Sequence, residues 1–205
     1  MTLRQFTHWV FDLDGTLTLA VHDFAAIRRH LGIPAQADIL HHLAELPATE
    51  RAAKHAWLFE HERELAVAAR PAPGAVALIR RLHEEGRQLG ILTRNARDLA
   101  LLTLAAIGLE DCFEPVAVLG RDEAAPKPDP GGLLHLADLW QVAPARLVMV
   151  GDHRYDLECG RAAGCRTVQV NQPGDPWPAA RDQRFEDCGE LLVALDAVDQ
   201  PPNNA

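Results

Sequence analysis

Residues 9–18 read WVFDLDGTLT. A short apolar run, His8 to Phe11, leads into Asp12-Leu13-Asp14-Gly15-Thr16. Aromatic and β-branched residues fill the run, so it reads as a strand, and the Asp-Gly pair breaks it. Two carboxylates two positions apart at the carboxyl end of an early strand concentrate charge that an apolar interior does not tolerate unpaired. In an open α/β sheet that end is where ligands bind. The plain alternative is a surface turn in which Asp and Gly only satisfy backbone geometry.

The 205 residues suffice for one substantial core, or for one core and a small insert. Apolar residues make up 48%, as in ordinary globular chains, so long disorder is expected only at the ends. Aromatics are sparse, leaving Leu, Ala and Val to fill most of the core. The net charge of -9 argues against a broad nucleic-acid surface, which needs clustered Lys and Arg. It leaves room for a small phosphorylated metabolite, because a local cation can dominate a cleft. Cys112, Cys159, Cys165 and Cys188 lack the paired spacing of zinc ligands and read as core filler. No secretory signal and no membrane-spanning window is visible, so the expected location is cytoplasmic, with free thiols.

Between Ala20 and Arg70 no convincing strand appears. Phe24, Ile27, Arg28 and Leu31 have helical spacing, and Gly32 stops that helix. Gln36 to Leu46 offers a second short helix and Ala48 to Arg70 a long third, with Ala52, Ala56, Phe59, Arg63 and Ala66 along one side. This all-helical block, residues 19–70, reads as a cap inserted after the first strand. Pro71-Ala72-Pro73-Gly74 returns the chain to a core made of residues 1–18 and 71–201.

From residue 74 onward helices and strands alternate. Helices are expected over Ala75–Glu85, from an Asn95 cap to Gly108, over Gly131–Trp140, Asp156–Ala163 and Gly189–Val198. Strands are expected over Gln88–Leu92, Pro115–Leu119, Arg146–Val150 and Thr167–Val170, with an edge strand at Arg184–Glu186. The alternation predicts an α/β fold, an open, mostly parallel sheet with helices on both faces. No Gly-x-Gly-x-x-Gly follows the first strand, which argues against a dinucleotide-binding oxidoreductase.

Four strand ends carry polar residues: Asp12 and Asp14, then Thr93, then Lys127 in APKPDP, then Asp152 with Asp156 four positions later. Each alone has a plain explanation. Their recurrence after strands is more specific, because parallel strands bring their carboxyl ends to one edge. With FDLDGTLT, LTRN at 92–95, Lys127-Pro128 and GDHRYD at 151–156, the chain resembles the haloacid dehalogenase-like hydrolase superfamily over nearly its whole length. It looks most like the subgroup with a small helical cap, which includes phosphoglycolate-phosphatase-like enzymes and sugar-phosphate mutases.

That resemblance implies an aspartyl-phosphate mechanism with Asp12 as nucleophile and Asp14 as general acid/base. It implies Mg2+ held by Asp12, Asp152 and the backbone carbonyl of Asp14, with Asp156 either a further ligand or a residue that orients Lys127. Thr93, Arg94, Asn95 and Lys127 would bind the transferring phosphoryl group. Asp14 argues against carbon–halogen displacement, since dehalogenating relatives generally lack this second acid. The leading reading is a phosphatase acting on a small organic phosphomonoester. A sugar phosphomutase and a catalytically silent binding or regulatory protein are the alternatives.

The cap is rich in histidine, and most of those side chains read as surface or packing residues. His22, close to the catalytic loop, is the specificity candidate among them. Three features depart from the family pattern: Thr18-Leu19-Ala20 at the hinge, Arg94 beside Asn95, and His153-Arg154-Tyr155 between the last two acids. His153 and Arg154 read as partly solvated loop residues. Arg94 is open between that role and substrate binding.

Overall fold

The computed structural model describes residues 2–21 and 23–197. The expected specificity residue His22 and the end of the last predicted helix at Val198 lie outside the described residues, as do core positions 198–201. Six strands form one sheet: β1 (His8–Phe11), β2 (Gln88–Leu92), β3 (Val118–Leu119), β4 (Leu147–Gly151), β5 (Arg166–Gln169) and β6 (Gln183–Arg184). All pairings are parallel, in the order β3-β2-β1-β4-β5-β6. The helices are α1 (Phe24–Leu31), α2 (Ile39–Ala44), α3 (Ala48–Val67), α4 (Ala75–Glu84), α5 (Arg97–Ala106), α6 (Gly131–Leu139), α7 (Arg154–Ala163) and α8 (Cys188–Asp196).

The chain steps outward from β1 to β3, then returns to β4 on the other side of β1. The strand order therefore reverses between β1 and β4, the place where an open α/β sheet leaves a crevice. Phe11 pairs in register with Ile91 and with Val150. The ladder runs one step further, with Asp12 N–H donating to the Val150 carbonyl at 2.9 Å. Asp12 is thus fixed by sheet geometry at the crevice.

Strand alternation divides the core into two layers. Trp9, Phe11, Ile91, Val148, Val150 and Val168 face α4, α5 and α8. Val10, Leu92, Leu147 and Met149 face α6 and α7. All four cysteines are free and buried.

Helices α1–α3 form the insert, which has its own apolar cluster of Ile27, Leu31, Ile33, Leu43 and Leu58. Its entry and exit strands meet: Leu19 N–H donates to Arg70 O at 3.0 Å, and Ala72 N–H to Leu17 O at 2.9 Å. Gly32, with φ of 65°, ends α1 as expected.

Several boundaries differ from the sequence expectation. Helix α2 starts only at Ile39, because Asp38 caps it by accepting from His41 N–H at 3.0 Å. Helix α3 ends at Val67, and the side traced by Ala52, Ala56, Phe59, Arg63 and Ala66 packs only at Phe59 and Ala66. Ala52, Ala56 and Arg63 are exposed, while Leu58 and Ala66 are buried. Leu58 packs inside the insert, whereas Ala66 packs on Ala96 and Leu99 of the core. Two different partners, not one stripe, set the face.

The expected strand over Pro115–Leu119 opens as a 3-10 turn at Pro115–Ala117, where proline offers no N–H to a ladder. The N-cap of α5 is Ala96, not Asn95. Helix α7 starts at Arg154, earlier than expected, because His153 and Asp156 form a capping box. The edge strand is Gln183–Arg184, and α8 starts at Cys188 behind its cap Asp187.

Candidate active site

Asp12 and Lys127 meet at the crevice, with Lys127 Nζ 2.5 Å from Asp12 Oδ1. The same ammonium lies 2.7 Å from Asp156 Oδ1. The second oxygen of Asp156 accepts the His153 N–H at 2.9 Å. Asp156 therefore spends one oxygen on Lys127 and the other on the start of α7. Thr16 Oγ1 lies 3.1 Å from Asp12 Oδ2 and 3.2 Å from Asp152 Oδ1, so its single proton serves one carboxylate at a time.

The turn carrying these groups has little steric freedom. Gly15 adopts φ of +90°, and a Cβ there would lie 2.6 Å from Asp152 Oδ2. The Asn171 side chain holds the turn from behind, donating to the carbonyls of Gly15 at 2.9 Å and Thr16 at 2.8 Å. Gln172 Nε2 donates to the Asp152 carbonyl at 3.2 Å.

One carboxylate oxygen from each of Asp12, Asp152 and Asp156 lies within 4.8 Å of the others. Burial pushes the Asp12 carboxyl up to about 7 against the opposing pull of Lys127. Burial, followed by repulsion from Asp12 and Asp156, pushes Asp152 up to about 7. Asp14 rises to about 6, again through burial, with Lys127 and a hydrogen bond from the Asn95 side chain pulling it down. For Lys127 burial favours the neutral amine, but Asp12 and Asp156 outweigh it and its pKa is raised. Four acids around one ammonium are short of positive charge. Hard oxygen donors in that arrangement suit a divalent cation.

These groups form the floor of a cavity of about 520 Å³ roofed by the insert. Phe24, Ile27, Ile39, Leu40 and Leu58 supply an apolar wall. Two ion pairs tie roof to floor. Arg94 Nη2 lies 2.6 Å from Asp38 Oδ2 at the cap of α2. Arg121 grips Glu62 of α3 through its two terminal guanidinium nitrogens, Nη1 at 3.2 Å and Nη2 at 3.1 Å.

The cavity gathers Asp12, Asp14, Thr93, Arg94, Asn95, Lys127, Asp152, His153 and Asp156. Thr93 is buried, and its hydroxyl oxygen accepts the Asn95 N–H at 3.1 Å, leaving its proton to donate elsewhere. Asn95 does not cap α5. Its Oδ1 accepts the Ala96 N–H at 2.9 Å while its side chain also bonds Asp14. His153 serves as the cap of α7, with Nδ1 accepting from Tyr155 N–H at 3.3 Å. Arg154 points to solvent beside Glu158 at 3.4 Å.

Sequence reasoning overlooked Thr16, Asp38, Glu62, Arg121 and Asn171. Only Thr16 had a local signal, four positions after Asp12 on the same turn. The others reach the site from remote elements.

The family model for haloacid dehalogenase-like hydrolase matches residues 7–164. A haloacid dehalogenase-like hydrolase domain-containing protein of Arabidopsis thaliana is 32% identical over 177 residues, covering 80% of this chain and 71% of the relative. A phosphoglycolate phosphatase of Neisseria meningitidis is 31% identical over 185 residues, covering 78% of each. The crystal structure of a hydrolase from Pseudomonas syringae superposes with a TM-score of 0.75 at 24% identity, covering 93% of this chain and 98% of that one. That last likeness speaks for the fold. The chain belongs to the haloacid dehalogenase-like hydrolase family and is a hydrolase with a candidate divalent-cation site at its carboxylate cluster.

Proposed function

We propose that this hydrolase is a magnesium-dependent phosphatase that cleaves a small organic phosphomonoester through an aspartyl-phosphate on Asp12. The observation that carries the reading is the position of Asp12 between Lys127 and Asp152, where a nucleophilic carboxylate and a charge-compensating ammonium share one crevice.

In the first step a carboxylate oxygen of Asp12 attacks phosphorus, the bond from phosphorus to the leaving oxygen breaks, and Asp14 gives that oxygen its proton. In the second, Asp14 takes a proton from water, the water oxygen attacks phosphorus, and the Asp12–phosphorus bond breaks to release phosphate. Lys127 offsets the charge of the transferring group and holds Asp12 in place. The Thr93 hydroxyl donates to a phosphoryl oxygen, and Arg94 and Asn95 line the same end. Asn95 orients Asp14.

Asp12, Asp152 and the Asp14 main-chain carbonyl would hold Mg2+, which when bound supplies charge neutralisation between carboxylate and phosphate. Asp152 suits that task better than Asp156, whose two oxygens are engaged by Lys127 and by α7. Asp156 is then the residue that positions Lys127. Residues 19–70 act as the lid, hinged at the paired segments beside Leu17 and Ala72, over a core of residues 1–18 and 71–201. Bulk water is kept from the site when the lid is down.

A phosphate-release screen with Mg2+ across small phosphomonoesters tests this. Release should be lost in Asp12→Asn with the fold retained, and a quenched reaction should show a phosphoryl adduct on the Asp12 peptide. Full magnesium-dependent release by that variant would remove Asp12 as the nucleophile. Isomeric phosphate products that need a bisphosphate activator would point instead to a mutase. Binding without release from any member of the panel would point to a silent binding protein.

A further inference from the structure

Helix α1 reads FAAIRRHL, and its positions 24, 27, 28 and 31 share one face. Leu31 is buried in the insert, while Phe24 and Ile27 line the cavity. Arg28 lines it too. The other lysine and arginines of the lining are neutralised: Lys127 by Asp12 and Asp156, Arg94 by Asp38, and Arg121 by Glu62. Among the described residues no carboxylate lies within ion-pair distance of Arg28. Its Nε–H donates to the Ala37 carbonyl at 2.9 Å, which fixes the plane of the guanidinium and uses one of its five donors.

We propose that Arg28 is a specificity-determining residue that binds a second anionic group, carried on the leaving group of the phosphomonoester. The proposal rests on the phosphatase reading above. A guanidinium stays charged at any working pH and presents a planar fork that matches a carboxylate or phosphate. Here it is half-buried, pre-oriented, and set beside the apolar side chains of Phe24, Ile27, Ile39, Leu40 and Leu58, while the wall's two carboxylates, Asp38 and Glu62, are engaged by Arg94 and Arg121. A cavity of about 520 Å³ also exceeds the volume of one phosphoryl group. The substrate class that satisfies both features is an alkyl phosphate with a short apolar body ending in an anion. Ile27, Ile39, Leu40 and Leu58 receive the body, and Arg28 receives the terminal charge.

The test compares n-butyl phosphate with its ω-carboxylate and its ω-phosphate analogues under Mg2+. The parent protein should favour at least one anionic analogue over butyl phosphate by about ten-fold or more in kcat/KM. Which analogue gains tells carboxylate from phosphate. Arg28→Gln should erase most of that preference, chiefly through KM, and Arg28→Lys should restore part of it. A general loss of packing would lower all three substrates together and leave their ratios unchanged. Equal rates in the parent, or a preference that survives Arg28→Gln in a folded variant, would overturn the assignment while the phosphatase reading stands. If Arg28→Gln fails to fold, the parent's own ratios and Arg28→Lys decide the matter. Absence of Asp12-dependent release from all three and from the wider panel would sink the phosphatase reading, and this assignment with it.

Discussion

Lys127 Nζ lies 2.5 Å from Asp12 Oδ1, although the two residues are 115 positions apart in the chain. Both side chains are nearly out of solvent, and Lys127 also answers Asp156. Lys127→Met would leave two buried carboxylates facing each other with no counter-charge. Breaking such a cluster from one side costs about 3–5 kcal/mol of stability. Loss of a charge aimed at the transferring group costs about 10²–10³ in kcat. Urea unfolding and steady-state kinetics check the two effects separately. A variant within a few-fold of parental kcat would mean that Lys127 only staples the crevice.

The carboxylate cluster also predicts how the metal-free protein responds to pH. Asp12 and Asp152 are held near 7 in the fold, chiefly by burial, against an ordinary value of 3.8. The folded state then binds more protons than the unfolded chain between those values. Stability from these groups is full below about pH 4 and is lost as pH rises toward 7. With chelator present, the melting temperature should drop between pH 5 and pH 7.5 by more in the parent than in Asp152→Asn. Mg2+ should recover the loss at pH 7.5 and do little at pH 5. A chelated parent whose pH dependence matches that of Asp152→Asn would contradict this.

The parts of this fold that were legible from sequence share a physical cause. Strand β4 reads as an unbroken apolar run because parallel strands are buried on both faces. Asp12 and Asp152 were legible because each directly follows such a strand, and Asp14 because it stands two positions beyond Asp12. Contacts made across the chain had no local signature. Arg121 and Glu62 are 59 positions apart, and Arg94 and Asp38 are 56 apart. Asn95 looked like a helix cap because Asn favours that position, yet its side chain turns to Asp14. The alanine-rich face of α3 was ambiguous because alanine fits both a packed and an exposed side.

The Arg121–Glu62 pair should set how firmly the lid closes. It is bidentate, and the two side chains are only 15% and 13% exposed. Such a pair escapes most of the screening that weakens surface ion pairs. Glu62→Gln should raise KM and increase protease cleavage near the hinge, with the core left folded. A double-mutant cycle with Arg121→Gln should give a coupling of about 0.5–3 kcal/mol in kcat/KM. Additive effects of the two substitutions would show that the lid is held by apolar contacts alone, such as Ala66 on Ala96 and Leu99.

Gly15 offers the sharpest steric test of the crevice. Its φ of +90° disfavours any side chain, and a Cβ would sit 2.6 Å from Asp152 Oδ2. Backbone strain alone makes Gly15→Ala destabilising by roughly 1 kcal/mol or more. The clash adds a second effect, because Asp152 must move to admit the methyl group. Displacing a proposed ligand of the cation should weaken Mg2+ activation well beyond what the lost stability explains. Gly86→Ala separates the two, since its φ of +70° carries comparable strain with nothing within 4 Å of the added carbon. Thermal melts should therefore place the two variants close together. Mg2+ titrations of activity should separate them, with Gly15→Ala needing about ten-fold or more Mg2+. Matching titration curves would show that Asp152 has room to retreat and still do its work.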